Sequence, residues 1–222
     1  ARPGAEFAVR ELRNLAVPFA PCFDTVLEEG QTYVDTVVLR QRGEFCLGGP
    51  EGSWRRLAAT QHFSAAPPAF VWDAEIAMAP LLPARVLDCY VRGAGILRAR
   101  VLSAIPVASV GPSPEMDEGE LVRFLAEAVW FPTALLPERG VAWEPIDDSS
   151  ARATLSHGGS TATLIFHFDE DGLVERVTGE RYRQEDEDYA PWVGYFEDYA
   201  ERTGRLIPQA GEVAWGLPGG ES

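Results

Sequence analysis

From about Thr32 onward the chain alternates apolar and polar residues in short runs broken by Gly and Pro, the pattern of antiparallel strands. The run 69–79 is the cleanest: Phe70, Trp72, Ala74, Ile76 and Met78 share one face, and Val71, Asp73, Glu75 and Ala77 the other. Runs at 32–47 and 53–64 flank Gly48-Gly49-Pro50-Glu51-Gly52, which reads as a hairpin turn. A run from 84 to 101 reads as one strand bent at Gly93-Ala94-Gly95. The pattern resumes at 141–147, 150–157, 160–168, 173–183, 192–200 and 209–216. About ten strands are predicted, with Gly158-Gly159 and Asp171-Gly172 as tight turns that make sequential strands neighbours.

One helix interrupts the strands. It runs from Asp117 to about Trp130, with Asp117 as its cap, Glu120 reciprocating and Pro132 ending it. Leu121, Phe124, Leu125, Ala128 and Val129 form its apolar stripe, while helical spacing puts Trp130 on the other side with Arg123 and Glu127. An indole on the polar side implies that a curved sheet encloses the last turn. A weaker helix is predicted over 5–16, and 101–116 reads as a loop. The expected fold is mainly β: a curved antiparallel sheet or half-barrel wrapped around one main helix. We expect one domain over 1–222: an N-terminal helix or loop (1–30), a first strand meander (31–110), the central helix (117–131) and a second meander (141–216).

Composition narrows the chemistry. The 34 acidic residues outnumber 19 basic ones, giving a formal charge of −15, and all 19 are Arg. Such a surface repels phosphate backbones and anionic headgroups, so neither a nucleic-acid partner nor membrane insertion is expected. Without Lys there is no Schiff base and no Walker-type phosphate site. Three widely spaced cysteines, Cys22, Cys46 and Cys89, form no disulfide framework or metal clip and fit a reducing cytoplasm. No run of about 18 apolar residues and no leader segment is found. His62, His157 and His167 lack metal-binding spacing, and no Gly-rich nucleotide loop or haem motif occurs, so no metal and no cofactor is expected.

Several strings carry a family likeness: Phe70-Val71-Trp72-Asp73-Ala74, Leu125-Ala126-Glu127 with Trp130 to Leu135, Trp143 with Asp147-Asp148, and Glu212-Val213-Ala214-Trp215. With Asp88, Gly93 and Gly95 they resemble a bacterial family catalogued only as a domain of unknown function. Its architecture is similar to the half-barrel of lipoprotein-carrier proteins and of a cofactor-free violacein-pathway enzyme. The resemblance implies a curved sheet that cups helices and a hydrophobic ligand.

The residues themselves offer two carboxylate sites. If 69–79 pairs with 84–92 through a turn at 80–83, Glu75 faces Asp88 and Asp73 faces Tyr90, so three carboxylates share a patch. That patch is either a solvated acidic face or a place of raised carboxyl pKa. Glu127, one turn before the enclosed Trp130, is the sharper candidate for an acid or base, with a structural ion pair to Arg123 as the plain alternative. The expected function is binding of a hydrophobic small molecule, by a cofactor-free isomerase, cyclase or lyase or else by a non-catalytic carrier. Glu127, Asp73, Asp88, Glu75 and Tyr90 are the candidate catalytic groups. Trp72, Trp130, Phe131, Trp143, His62 and Arg123 are the candidate ligand-facing ones.

Overall fold

Two antiparallel sheets, each built almost wholly from hairpins, hold one helix between them. The structure, a computed structural model, describes residues 6–8, 19–47, 52–217 and 220–221. A short helix α1 (Phe19–Val26) leads into β1 (Thr36–Leu47), β2 (Ser53–Ser64), β3 (Ala69–Ala79), β4 (Leu82–Val91), β5 (Ala94–Val101) and β6 (Ile105–Val110). These six form the first sheet in chain order. Then come α2 (Pro114–Glu127) and three 3-10 turns, Ala128–Trp130, Pro132–Leu135 and Pro137–Arg139.

The second sheet contains β7 (Val141–Asp147), β8 (Ser150–His157), β9 (Ser160–Phe168), β10 (Val174–Arg183), β11 (Asp188–Glu197), β14 (Ala210–Leu217) and β15 (Gly220–Glu221). A two-stranded ribbon, β12 (Ala200–Arg202) and β13 (Arg205–Ile207), is an excursion between β11 and β14. The architecture is mainly β, curved and not closed.

The strand count exceeds the expected ten for two reasons. The run 84–101 is a hairpin: Arg92 and Gly93 both take left-handed φ (57° and 82°), a two-residue turn that reverses the chain. The stretch expected as a loop contains β6, whose Pro106 is tolerated because β6 is an edge strand, with no neighbour on its outer side among the described residues. The turn residues 48–51 and most of the predicted helix 5–16 lie outside the described residues; Glu6 makes a bridge to Thr32.

The N-terminus of α2 also differs. Ser113, in extended conformation, is the cap, and its hydroxyl accepts from the Met116 N–H at 3.1 Å, with Pro114 at the first helical position. Asp117 instead accepts the Gly95 N–H at 2.7 Å, tying the helix to β5.

Both faces of α2 are covered, since it touches β4 and β5 on one side and β8, β9 and β10 on the other. Leu121, Phe124, Leu125 and Ala126 are almost wholly buried. Phe63 from β2 stacks obliquely on Phe131 (4.8 Å between centroids) and approaches Phe124. Each such side chain contributes about 1.5–3 kcal/mol by leaving water. At one end the sheets touch through their turns: a Cβ on Gly93 would lie 2.6 Å from Gly158 Cα, and one on Gly158 would lie 2.3 Å from Gly93 Cα. Beside this contact Tyr90 Oη lies 2.9 Å from His157 Nδ1.

Candidate functional site

The β3–β4 register separates the carboxylates that the sequence grouped. Trp72 faces Asp88, Asp73 faces Leu87, Glu75 faces Arg85 and Phe70 faces Tyr90. The expected pairing placed the whole of 80–83 in the turn. Strand β4 instead begins at Leu82, behind a turn with Leu81 at φ 62°, and a bulge lies between Ala77 and Ala79. The odd shift turns Asp88 and Tyr90 to the inner face. Asp73 and Glu75 stay on the outer face, where Arg85 binds Asp73 at 2.9 and 2.5 Å and holds its carboxyl below the ordinary value.

The shift delivers Asp88 to α2. Arg123 bonds Asp88 through Nη1 at 2.6 Å and Glu127 through Nε at 3.0 Å. Its guanidinium lies over the rings of Trp72 (4.9 Å) and Phe70 (5.1 Å). The other oxygen of Glu127 accepts from Gln61 at 2.6 Å, Gln41 donates to Gln61 at 3.2 Å, and the Trp72 indole donates to Gln41 at 2.7 Å. Glu120, on the same helix, pairs with Arg181 of β10 at 2.7 Å, and Arg181 also donates to the Gly119 carbonyl. The cluster thus joins both sheets through the helix.

Three carboxylates meet two guanidiniums here, and the surplus decides the proton balance. Burial raises the Glu120 carboxyl, Arg181 opposes it, the Asp88 charge adds to it, and the result is a pKa of about 7. One oxygen each of Glu120 and Asp88 is buried without a partner. Burial likewise raises Glu127, against the pull of Arg123 and the Gln61 hydrogen bond. Burial works against the Arg123 charge, but Glu127, Asp88 and Glu120 outweigh it and hold the guanidinium more firmly protonated than usual.

Folding stability should therefore depend on pH through Glu120. Between the ordinary glutamate value of 4.5 and about 7 the native state keeps a proton that the unfolded chain has released, so unfolding free energy falls as pH rises across that window and then levels. The contribution is about 3 kcal/mol. Denaturant titrations of wild type and Glu120→Gln from pH 4 to 8 should differ by this slope, with the variant the more stable at pH 8; parallel profiles would remove Glu120 from the account.

The remaining sequence candidates are dispersed. His62 is exposed on the outer face of β2. Tyr90 is fully buried against His157, and burial followed by the Asp117 charge lifts its phenol to about 12. Phe131 belongs to the aromatic cluster with Phe63 and Phe124. Trp130 does not share a face with Arg123 and Glu127, because the α-helix tightens to a 3-10 turn at Ala128 and swings the indole toward the second sheet. There it is half-buried, edge-on to Phe196 (5.6 Å), and donates to the Pro208 carbonyl at 3.2 Å.

Trp143 lines a narrow apolar cavity of about 20 Å³ between α1 and the second sheet. Its walls are Cys22, Phe23 and Val26 of α1, Phe166 and Phe168 of β9, and Val129, Pro132, Leu135, Val174 and Tyr199. No charged residue lines it. The polar atoms of Trp143 and Tyr199 are turned onto the Leu135 and Val174 carbonyls (2.9 and 2.8 Å), so the lining offers carbon. At this size it admits about one water. A second, open groove of about 310 Å³ runs between Glu118 and Val122 of α2 and Thr163, Gly179 and Tyr189 of the second sheet. Glu127 lines neither.

Sequence reasoning missed Gln41, Gln61, Glu120 and Arg181. A signal existed for Gln61, which lies in phase with Ala59 and Phe63 and so is a polar residue at a core-facing position. Among the described residues no group of three or more His, Cys, Asp or Glu could hold a metal ion. No described helix is long and apolar enough to cross a membrane. Residues 15–222 match the family model described as a family of unknown function (DUF6920). No curated protein and no solved structure matches the chain.

Proposed function

We propose, for a chain that belongs to the DUF6920 family of unknown function, that it carries a long apolar chain in the space now closed by α1. The observation behind this reading is the character of that closure. The walls are uncharged, and among the described residues one side-chain hydrogen bond, Thr25 to the Asp171 carbonyl at 3.2 Å, fastens α1 to the body. Apolar contact does the rest.

That contact sets the ligand's size. Lifting α1 uncovers Cys22, Phe23 and Val26, at a cost of roughly 5–8 kcal/mol. A guest returns about 0.8 kcal/mol per buried methylene, so about ten methylenes are needed to hold the helix open. Short acyl chains fall below that threshold. Acid–base catalysis by Glu127 is the less supported reading, because its carboxylate is bonded by Arg123 and Gln61 and faces neither cavity.

The fluorescent probe N-phenyl-1-naphthylamine tests the proposal. Saturable binding, displaced by palmitate and not by octanoate, is expected. Phe23→Ala should raise probe affinity about tenfold, since the guest no longer displaces that ring, while lowering stability by about 3–5 kcal/mol. Absence of saturable binding in both proteins would overturn the carrier reading.

Cys22 gives a second readout. Burial, helped by the Asp169 charge, pushes its thiol up to about 12, so N-ethylmaleimide should leave it unmodified in the closed state. Bound palmitate should speed its alkylation by opening the helix; an unchanged rate would place the ligand elsewhere.

A further inference from the structure

The turns of the first sheet alternate between its two ends. The β2–β3 and β4–β5 turns lie at the end where Gly93 meets Gly158. At the opposite end lie the β3–β4 and β5–β6 turns and the paired ends of β1 and β2, and the side chains there are unusual. Leu81 is 97% exposed, Leu102 and Ile105 are more than half exposed, and Trp54 and Phe45 stand out from the paired ends of β1 and β2. Those strand ends have left the rest of the sheet, since β2 pairs with β3 only from Leu57 onward.

Core packing does not account for these residues, and neither does turn chemistry. Leu81 and Leu102 take φ of 62° and 51°, a region that residues with a β-carbon rarely adopt and that glycine or asparagine normally fills. Two exposed leucines therefore sit where both solvent and backbone favour something else.

Behind the apolar tips lies a band of arginine. Arg55 and Arg56 follow Trp54, Arg100 precedes Leu102 by two residues, and cross-strand pairing sets Arg85 beside Arg100. Of these four, Arg85 makes an ion pair, with Asp73; the others make none among the described residues. Among the described residues, Glu44, opposite Arg56, and Glu75, opposite Arg85, are the other acidic groups facing the band. Cations dominate locally on a chain whose formal charge is −15. At about 3.4 Å per strand residue Arg100 lies some 7 Å behind Leu102. Acidic groups farther back lie beyond the screening length of about 8 Å at physiological ionic strength.

From this layering we infer that the free end of the first sheet docks on an anionic bilayer surface. The leucine and aromatic tips enter the boundary between headgroups and acyl chains, and the guanidiniums meet the lipid phosphates behind them. This docking is peripheral and needs no spanning segment. It uses a surface separate from the α1 cavity and stands whether or not that cavity takes a guest.

The test is sedimentation of the full chain with phosphatidylcholine vesicles, with and without about 30 mol% phosphatidylglycerol, at low and high salt. Binding is expected to the anionic vesicles alone and to weaken with salt. The double variant L81G/L102G should lose about tenfold or more in binding. Its melting temperature should hold or rise, because glycine suits both turns, so misfolding cannot imitate the result. The triple variant R55Q/R56Q/R100Q should abolish the preference for anionic vesicles. No binding to anionic vesicles, or binding unchanged in L81G/L102G, overturns the inference. Retention on heparin that survives L81G/L102G, with vesicles ignored, also overturns it and reassigns the arginines to a soluble polyanion.

Discussion

Replacing Arg123 by methionine is expected to cost about 3–5 kcal/mol of folding stability and to lower the melting temperature by about 10 °C. Methionine keeps much of the stem that lies against Trp72 and Phe70, so packing survives while the charge does not. What remains is the buried Asp88 and the mostly buried Glu127, both stripped of their guanidinium. Gln61 still donates to Glu127, whereas Asp88, which already has one oxygen without a partner, keeps none of its cationic support.

Neutralising the orphaned acids should rescue the protein. In a D88N/E127Q background the same R123M change should cost about 1 kcal/mol, because amides left in that space carry no charge. Denaturant unfolding of the four proteins in this cycle measures the coupling. A single R123M variant within about 1 kcal/mol of wild type would show that the cluster is not what joins helix to sheet.

The second large effect belongs to Gly158. An alanine there meets the Gly93 backbone at 2.3 Å and also occupies a φ of +63°, so it combines a backbone clash with an unfavourable conformation. Left-handed backbone costs about 1–2 kcal/mol, and the clash, having no flexible side chain to yield, should bring the total to at least about 3 kcal/mol. The melting temperature should fall by about 6–12 °C. Gly159 provides the control, since its φ is +95° and a Cβ there meets nothing within 4 Å. Equal melting temperatures for G158A and G159A would mean that the turn-to-turn contact contributes nothing.

Strand positions were readable from the sequence because alternation depends on each residue's own burial. The 53–64 and 69–79 runs coincide with β2 and β3, and the Gly158-Gly159 turn takes the positive φ expected of it. Register was not readable. The placement of Asp88 depends on the bulge between Ala77 and Ala79: shortening the turn from four residues to two moves the register by an even step and keeps the faces, whereas the extra residue of the bulge exchanges them. Trp130 illustrates the same sensitivity in a helix, where a change from α to 3-10 geometry over one turn redirected the indole.

Clustering was still harder to foresee. Arg55, Arg56, Arg85 and Arg100 are spread over more than forty positions, and total charge concealed them. Only pairing across four strands, β2 to β5, brings them to one end. The ion pair of Arg123 and Glu127, by contrast, was visible as two opposite charges four residues apart on one helix. What the sequence hid was its third member, delivered from β4.

The abutting Gly93 and Gly158 turns also bear on which changes in length the scaffold can absorb. With a Cβ at either position already inside the other backbone, an added residue in either turn would act as a wedge and force the two sheets apart. The exposed β3–β4 and β5–β6 turns at the opposite rim have no such opponent among the described residues. Insertions and deletions among relatives of this chain should therefore collect on that rim, while these two hairpins keep their length.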